Sequence, residues 1–466
     1  MPLRFYNTYT QQLEDFQPLD GRTVRMYTCG PTVYHYVHIG NFRTFAFQDV
    51  LRRTLRARGY SLDHVMNITD VEDKIIRNAM ERGQSLEDYT RQYTEAFLED
   101  SARLRLEKPE RLVFATHHIA DMVRMIEGLN EKKHTYSSEG SVYFRIASFP
   151  EYGRLSKINL AGNIAGARVD VDEYEKDDAR DFVLWKAQKP GEPGWDTPLG
   201  CGRPGWHIEC SVMAMKYLGE TIDIHTGGVD LVFPHHENEI AQSEAYTGKR
   251  FVRFWLHAEH LMVEGQKMSK SLGNFFTLRD IIDQGYSPEA IRYLLISAPY
   301  RKQLNFTFDG LKAASTSIDR LRNFELRLNN TSFDPGLNEE FAARTAAAGQ
   351  SFDDGLDEDL NTADALAALF EYIRDANTAM DSGAFRAGNV EGARAFLAQF
   401  DSVFDVLKPS VRQGALTDAE VEERIAERTA AKKARDFARA DAIRAQLLEQ
   451  GVVLEDTRDG VRWKRK

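Results

Sequence analysis

The chain has 466 residues, and 60 Lys and Arg against 71 Asp and Glu give it a formal net charge of −11. Hydrophobic residues make up 42% and charged residues 28%, which fits a folded globular protein and excludes a collagen-like or wholly disordered chain. The acidic balance argues against a protein that coats nucleic acid with a uniform positive field, but it leaves room for a local basic face.

The sequence predicts a cytoplasmic protein. Residues 1–16 lack the apolar run of a signal peptide, and no stretch approaches the roughly 20 apolar residues of a membrane span. Three cysteines, Cys29, Cys201 and Cys210, are too few to crosslink so long a chain. They indicate a reducing compartment and thiols kept for chemistry or metal binding.

A βαβ unit is predicted near the N-terminus. Val24–Thr28 is typical of a short buried strand, and Cys29-Gly30-Pro31 breaks it. A helical pattern of apolar residues then ends at Gly59, and Leu62–Ile68 is typical of a second strand. Two strands with a helix between them favour a parallel sheet.

Along the rest of the chain, changes in composition and in hydrophobic pattern predict further segments. Residues 119–189 are expected to form an insertion, followed by a linker rich in Pro and Gly over residues 190–205. Thr221–His225 predicts a further strand. From Ser287-Pro288, a helix start, long helical patterns predict an α-helical domain, with a helix capped near Asn361.

The C-terminal segment carries the opposite charge to the body. Residues 424–466 contain twelve Lys and Arg against seven Asp and Glu. A charge run of this kind is commonly a solvated helix face, so by itself it leaves a nucleic-acid surface as one of two interpretations.

Two short motifs suit phosphate binding. His38-Ile-Gly40-Asn41 stands at the start of the first predicted helix, where free backbone N–H groups and the helix dipole attract anions. Lys267-Met-Ser-Lys270-Ser supplies two lysines and two hydroxyls for a loop that closes on polyphosphate. Each motif alone is equally compatible with an ordinary cap or surface turn.

A third group of residues suits a metal. His235 and Glu239 are four apart, on one face of a helix, and with Cys29 and Cys210 they offer two sulfur, one nitrogen and one oxygen donor. Cysteines so far apart in sequence are more often simply buried. Spacing alone therefore leaves two interpretations open, a metal site and buried structural thiols.

Longer strings show a resemblance to a known family. The HIGN and KMSKS motifs resemble the two signatures of class I aminoacyl-tRNA synthetases, and the longer strings, which cover nearly the whole chain in order, resemble cysteinyl-tRNA synthetase. These strings are Tyr27–Tyr34, Asn67–Lys74, Gly205–Cys210, Phe233–Glu239 and Lys433–Thr457.

The resemblance implies a role for individual residues. Cys29, Cys210, His235 and Glu239 match one zinc site per chain, and Mg²⁺ is expected with ATP. His38, Asn41, Lys267 and Lys270 match the catalytic signatures, with His38, Gly40, Asn41, Gly228, Asp230 and Lys270 as the ATP site. The implied substrate pocket is Cys29, Thr69, Trp206 and His235. The candidate tRNA contacts in the basic tail are Arg424, Asp436 and Trp463.

The resemblance also implies an architecture and partners. The expected fold is α/β, with a Rossmann-like parallel-sheet catalytic domain, an insertion, an α-helical bundle and a small C-terminal anticodon-binding domain. We expect a monomer that takes ATP, L-cysteine and cysteine tRNA and meets no membrane. The predicted boundaries are 1–118 and 201–250 for the two catalytic halves, 119–200 for the insertion, 251–315 for the connecting region with the ATP loop, 316–408 for the bundle and 409–466 for the anticodon-binding domain.

One departure and two alternatives accompany this interpretation. The first signature usually ends in His, whereas Asn41 can donate a hydrogen bond but carries no charge. The same catalytic core serves bacterial ligases that join cysteine to an amino-sugar in the mycothiol pathway, but these need no basic tail. A non-catalytic tRNA-binding relative is the other alternative, and the intact zinc and ATP motifs argue against it.

Overall fold

The computed structural model describes residues 2–158, 180–269, 272–410, 416–457 and 460–465. Its contacts divide the chain into two compact units, Met1–Asp405 and Val406–Lys466. Within the described ranges, no helix combines the length and the apolar character that crossing a membrane requires. The finer domain boundaries expected from the sequence stay predictions.

The predicted βαβ unit is present near the start of the first unit. Its two strands pair in parallel, from Thr23 opposite Ser61 to Thr28 opposite Met66. The helix between them ends before Gly59, whose φ of +82° suits glycine. The elements here are β1 (Arg4–Asn7), β2 (Gln12–Asp15), β3 (Thr23–Thr28), α1 (Ile39–Ala57), β4 (Ser61–Ile68), α2 (Asp73–Glu81), α3 (Leu86–Arg103) and β5 (Arg111–Phe114).

An antiparallel sheet then interrupts the parallel one. Its strands follow one another in the order β6-β7-β8-β9, and its pairs are all antiparallel. The elements of this segment are α4 (Ile119–Glu131), β6 (Thr135–Ser138), β7 (Ser141–Phe144), β8 (Phe182–Ala187) and β9 (Gly202–Pro204).

The chain next returns to the parallel sheet. It does so through α5 (Trp206–Leu218), β10 (Ile222–Gly228), α6 (Glu237–Thr247) and β11 (Val252–Ala258). The strand order is β11-β10-β3-β4-β5, with every neighbouring pair parallel. Successive strands are added on opposite sides of β3, so the order reverses between β3 and β10. In open parallel sheets, ligands bind at the carboxyl ends of the strands beside such a point.

A small sheet and two helices follow. The sheet has the order β13-β12-β14. As predicted, Ser287 caps α8 and Pro288 opens it. The elements are β12 (Leu261–Val263), β13 (Gln266–Lys267), α7 (Leu278–Asp283), α8 (Pro288–Ile296) and β14 (Leu304–Phe306).

Long helices complete the first unit: α9 (Phe308–Asn330), α10 (Glu339–Asp357), α11 (Thr362–Asp381) and α12 (Val390–Phe404). Arg292 on α8 links α12 to α1, the helix that packs beside the parallel sheet. It is 1% exposed and donates to Asp49 of α1 at 2.5 Å, to the Leu104 carbonyl at 3.0 Å and to the Phe404 carbonyl at 2.5 Å. A buried guanidinium needs partners of this kind to offset its lost hydration.

The second unit has a core of its own. It contains α13 (Asp418–Lys433), α14 (Phe437–Glu449), β15 (Val452–Thr457) and β16 (Gly460–Arg465), and the two strands form an antiparallel hairpin. Buried apolar side chains from both helices and from β15 pack together; they are Val421, Ile425, Ile443, Leu447, Val452 and Leu454.

Candidate active site and metal centre

Four predicted metal ligands come together at the carboxyl edge of the parallel sheet. Cys29 directly follows β3, Cys210 lies on α5, His235 lies in the irregular turn before α6, and Glu239 lies in the first turn of α6. The Cys29 and Cys210 Sγ atoms are 3.9 Å apart. Glu239 Oε1 lies 3.8 Å from Cys29 Sγ and 3.0 Å from His235 Nε2. All four side chains are buried.

This donor set fits a zinc ion by number, type and spacing. Ligand atoms arranged tetrahedrally around zinc, with bonds of about 2.0–2.3 Å, lie roughly 3.3–3.8 Å from one another. The observed separations of 3.0–3.9 Å bracket that range. Two thiols with an imidazole and a carboxylate are also a donor combination that zinc accepts.

A second group of donors shares two of these residues. Cys29, His225, His236 and Glu239 also bring one ligand atom each within 4.8 Å of one another. His225 Nε2 lies 2.9 Å from Glu239 Oε2, the oxygen that faces away from His235. His236 Nδ1 lies 2.7 Å from His257 Nε2. Glu239 therefore stands between two imidazoles, one on each carboxylate oxygen.

The sequence analysis gave no role to His225, His236 or His257. His225 and His257 lie on the neighbouring parallel strands β10 and β11, towards their carboxyl ends. The available signal was His225 at the end of the predicted strand Thr221–His225, whereas no strand was predicted around His257. The strand order that makes them neighbours is set by tertiary packing and cannot be read from local pattern.

The electrostatics of the cluster favour ionisation of two of the four donors, Glu239 and Cys210. Burial raises the pKa of the Glu239 carboxyl, but His225 and His235 outweigh it and bring that pKa down to about 2. Burial also raises the pKa of the Cys29 thiol, whereas a hydrogen bond from Cys29 and the charge of His235 lower the pKa of Cys210. The cluster thus holds a carboxylate and a thiol that readily loses its proton, the forms in which these groups bind metal.

The predicted substrate pocket borders this cluster. The Trp206 indole stacks on the His235 imidazole with ring centres 4.2 Å apart. Thr69 is buried, and its hydroxyl donates to Glu209 at 3.0 Å. Thr69 is therefore linked to the metal cluster through Glu209, the residue before Cys210. Trp206 contacts the candidate metal ligand His235 directly.

His38 caps the first helix with its imidazole neutral and in a single tautomer. Its Nδ1 accepts a hydrogen bond of 3.2 Å from the Asn41 backbone N–H. Burial lowers the pKa of the His38 imidazole to about 4, against the opposing charge of Asp230. A neutral ring that accepts at Nδ1 carries its proton on Nε2. The Nε2–H is thus available to donate to a ligand.

The two signature segments meet in the structure. The Ile39 N–H donates to the Phe276 carbonyl at 2.9 Å, and the His38 and Phe275 rings are 5.2 Å apart. A Cβ at Gly40 would lie 3.0 Å from Met268 Cε. Lys267 ends β13 with its side chain exposed. The predicted lysine Lys270 lies outside the described residues.

Gly228 ends β10 and Asp230 follows it, near enough to His38 to act on its pKa. A Cβ at Gly228 would stand 2.3 Å from Asp230 Oδ1, so the position admits no side chain while Asp230 keeps its place. The Asp230 carboxylate acts on the pKa of His38, which places both groups in one electrostatic environment. The structure thus brings the predicted ATP residues His38, Gly40, Asn41, Gly228 and Asp230 to one end of the sheet.

The three candidate tRNA contacts make internal contacts in the second unit. Arg424 donates to Glu427 at 3.2 Å, Asp436 caps α14 by accepting from the Arg439 N–H at 3.0 Å, and Trp463 Nε1 donates to Glu422 at 2.6 Å.

The exposed aromatic ring of this unit is Phe437, 62% exposed, which the sequence analysis did not single out. It lies between Arg435 and Arg439, and an aromatic residue among basic ones was the signal.

Comparisons with known proteins agree with this arrangement. Residues 15–316 match the model of the tRNA synthetases class I (C) catalytic domain, and residues 351–408 match the DALR domain. The chain is similar to cysteine–tRNA ligase of Solibacter usitatus, with 69% identity over 466 residues and all of both chains covered. It is also similar to cysteine–tRNA ligase of Koribacter versatilis, with 55% identity over 495 residues and again all of both chains.

A solved structure shows the same fold at low sequence identity. Mycobacterium tuberculosis methionyl-tRNA synthetase in complex with methionyl-adenylate matches 83% of this chain and 90% of its own, with a TM-score of 0.61 and 13% identity.

Proposed function

We propose that this chain, which belongs to the cysteine–tRNA ligase family, activates L-cysteine with ATP, passes it to the 3′ end of cysteine tRNA and selects the substrate thiol with a zinc ion. The observation that carries the proposal is the buried set of two thiols, an imidazole and a carboxylate beside the His38 signature. The acidic composition and the lack of a predicted membrane span support a cytoplasmic enzyme. We propose that the enzyme acts as a monomer.

Zinc explains how cysteine is separated from serine. Pocket shape alone rejects a near-isosteric side chain by only about 10²-fold. Cys29, Cys210, His235 and Glu239 would hold the zinc ion, which when bound would supply a Lewis acid that binds a thiolate much better than a neutral hydroxyl. His225 supports this site, since it holds Glu239 Oε2 at 2.9 Å and keeps that carboxylate partnered if Oε1 moves aside for the substrate.

The chain's own residues position the activation step. A carboxylate oxygen of cysteine attacks the α-phosphorus of ATP, the bond to pyrophosphate breaks, and cysteinyl-adenylate and pyrophosphate result. The His38 Nε2–H donates to the phosphate oxygens as their negative charge redistributes, and the positive end of the α1 dipole stabilises the same charge. Lys270 supplies a positive charge from the ATP loop, and Mg²⁺ accompanies ATP.

Asn41 and Asp230 complete the nucleotide site. Asn41 is exposed in the first turn of α1, where its amide can donate to phosphate in place of the charged His of the usual signature. Asp230 presents a carboxylate beside a glycine with no side chain, an arrangement that lets a ribose hydroxyl approach and donate. Trp206 shields the amino-acid pocket and holds the His235 ring in place.

Transfer to tRNA involves both ends of the chain. A ribose hydroxyl of the terminal adenosine attacks the cysteinyl carbonyl, and AMP leaves. The basic C-terminal unit would bind phosphates and give salt-dependent affinity. Single-stranded bases are recognised by stacking and by their exposed edges, so Phe437 joins Arg424, Asp436 and Trp463 as a candidate for anticodon contact.

One set of assays tests the proposal. The purified chain is expected to bind one zinc per molecule and to charge total tRNA with labelled cysteine but not serine. Cys210→Ser is expected to lose zinc and cysteine affinity together, while ATP affinity stays within about twofold. Cysteine affinity retained after zinc loss would refute the selection mechanism. ATP–pyrophosphate exchange without tRNA charging would instead favour a small-molecule cysteine ligase.

A further inference from the structure

A cluster of aromatic rings lies immediately before the first signature. It consists of Tyr34, His35 and Tyr36 from the loop between β3 and α1, and of Tyr89 and Tyr93 from α3. His35 stacks on Tyr93 with ring centres 6.0 Å apart, and Tyr36 meets the Tyr93 ring edge to face at 5.3 Å. The Tyr89 hydroxyl donates to the Tyr34 carbonyl at 2.7 Å. The loop is therefore fixed to α3 at several points.

Each outer ring of the cluster carries a cation. Arg279 lies over Tyr36 at 5.3 Å, and Lys74 lies over Tyr34 at 5.2 Å. Arg279 is held in place by Asp100, at 3.0 Å, and by Glu99, at 2.7 Å. Its planar guanidinium is thus oriented before any ligand arrives.

Tyr36 is the exposed member of this rigid group. It is 40% exposed, whereas Tyr89 and Tyr93 beneath it are buried. A large apolar ring presented to solvent is costly to leave unpartnered, and here neighbouring rings and an anchored guanidinium fix its orientation. Aromatic rings paired with arginine are the surfaces on which unpaired bases stack.

The position of Tyr36 relates it to the proposed reaction. One residue, Val37, separates it from His38, so the Cα atoms of Tyr36 and His38 are at most about 7 Å apart. Arg279 lies in α7, directly after the segment of Phe275 and Phe276 that contacts His38 and Ile39. A nucleic acid whose terminal ribose reaches the α1 N-terminus can therefore place its next one or two nucleotides against this ring.

We propose that Tyr36 and Arg279 form a stacking platform for an unpaired nucleotide next to the terminal adenosine of the tRNA. The inference rests on the proposed function, because it takes tRNA as the partner. The base lies against the Tyr36–Arg279 pair, and the guanidinium also faces the adjoining phosphate. The platform orients the 3′ end for transfer and plays no part in forming the adenylate.

The test separates the two half-reactions. Tyr36→Ala is expected to lower kcat/KM for tRNA in the charging assay by about tenfold or more, the range for losing one base-stacking contact. Cysteine-dependent ATP–pyrophosphate exchange is expected to stay within twofold of wild type. Tyr36→Phe, which keeps the ring, is the matched control and is expected to behave as wild type in both assays.

Trimmed tRNA identifies the nucleotide. Removing the unpaired 3′ nucleotides is expected to weaken tRNA binding to the wild-type protein about tenfold and to leave binding to Tyr36→Ala almost unchanged. Equal losses for both proteins would overturn the platform, as would unchanged charging by Tyr36→Ala. A parallel loss of exchange would show that Tyr36 merely supports the His38 loop. Wild-type protein that charges no tRNA would refute the proposed function itself, whatever Tyr36 does.

Discussion

The two roles of His38 can be separated by substitution. Its Nδ1 accepts the Asn41 N–H at 3.2 Å and caps α1, while its Nε2–H remains to donate to phosphate. Losing an N-cap to alanine costs about 1 kcal/mol of stability, whereas asparagine is itself a good cap. Removing one donor aimed at transition-state charge costs about 3–4 kcal/mol, or roughly 10²–10³-fold in rate.

His38→Asn is therefore expected to keep the free energy of unfolding within about 0.5 kcal/mol of wild type and to slow ATP–pyrophosphate exchange by roughly 10²–10³-fold. His38→Ala is expected to lose both the rate and about 1 kcal/mol of stability. Urea unfolding and initial exchange rates at saturating ATP measure the two effects. Exchange by His38→Asn within about fivefold of wild type would refute the donor role.

The pH dependence gives a further check on the same residue. Because burial lowers the pKa of His38 to about 4, the ring is neutral throughout the range from pH 6 to 8. The wild-type to His38→Asn rate ratio should therefore stay flat over that range. The stability that the neutral ring contributes is present above its unfolded pKa of about 6.5 and falls as the pH drops towards 4. A ratio that rises steeply below pH 7 would show that the charged ring is the active form.

Two further substitutions test the frame around the site. Gly228→Ala would place a Cβ 2.3 Å from Asp230 Oδ1 and displace that carboxylate. The variant is expected to raise KM for ATP about tenfold or more in exchange kinetics, with cysteine affinity unchanged. An unchanged KM would show that Asp230 does not belong to the nucleotide site. Arg292→Met leaves the Asp49 carboxylate buried, with Arg53 as its one ionic partner among the described residues, and is expected to cost about 3 kcal/mol in urea unfolding. A loss below 1 kcal/mol would show that Arg53 suffices.

Local pattern predicted those parts of the fold that depend on neighbours in sequence. The strand before Cys29, the helix ending at Gly59 and the cap at Ser287 are each set by a few adjacent residues, and the structure confirms them. The His235–Glu239 helix was predicted less well. Regular helix begins only at Glu237, after a kink at Phe233, yet His235 still reaches Glu239 at 3.0 Å.

The candidate site depends even more on contacts between residues that are distant in sequence, which local pattern cannot predict. Cys29 and Cys210 were grouped with His235 and Glu239 by donor type, which left simple burial as an alternative. The family resemblance favoured the metal site, since no local rule joins positions 181 residues apart. His225 and His257 escaped notice because their closeness depends on which strands lie side by side. Asp436 was proposed as a tRNA contact, yet it caps α14, a role that its place before a helix could have indicated.

The wide spacing of the donor set has a consequence for synthesis of the chain. Cys29 leaves the ribosome about two hundred residues before Glu239, which at roughly 5–20 residues per second is an interval of about ten to forty seconds. For most of that time the first thiol has none of its partners, because Cys210 is made 181 residues after Cys29 and His235 and Glu239 follow later still. A complete donor set therefore exists only after β10 of the second half of the sheet has been made. Metal content would report completed assembly of the catalytic core, and chains truncated before residue 239 should emerge without it.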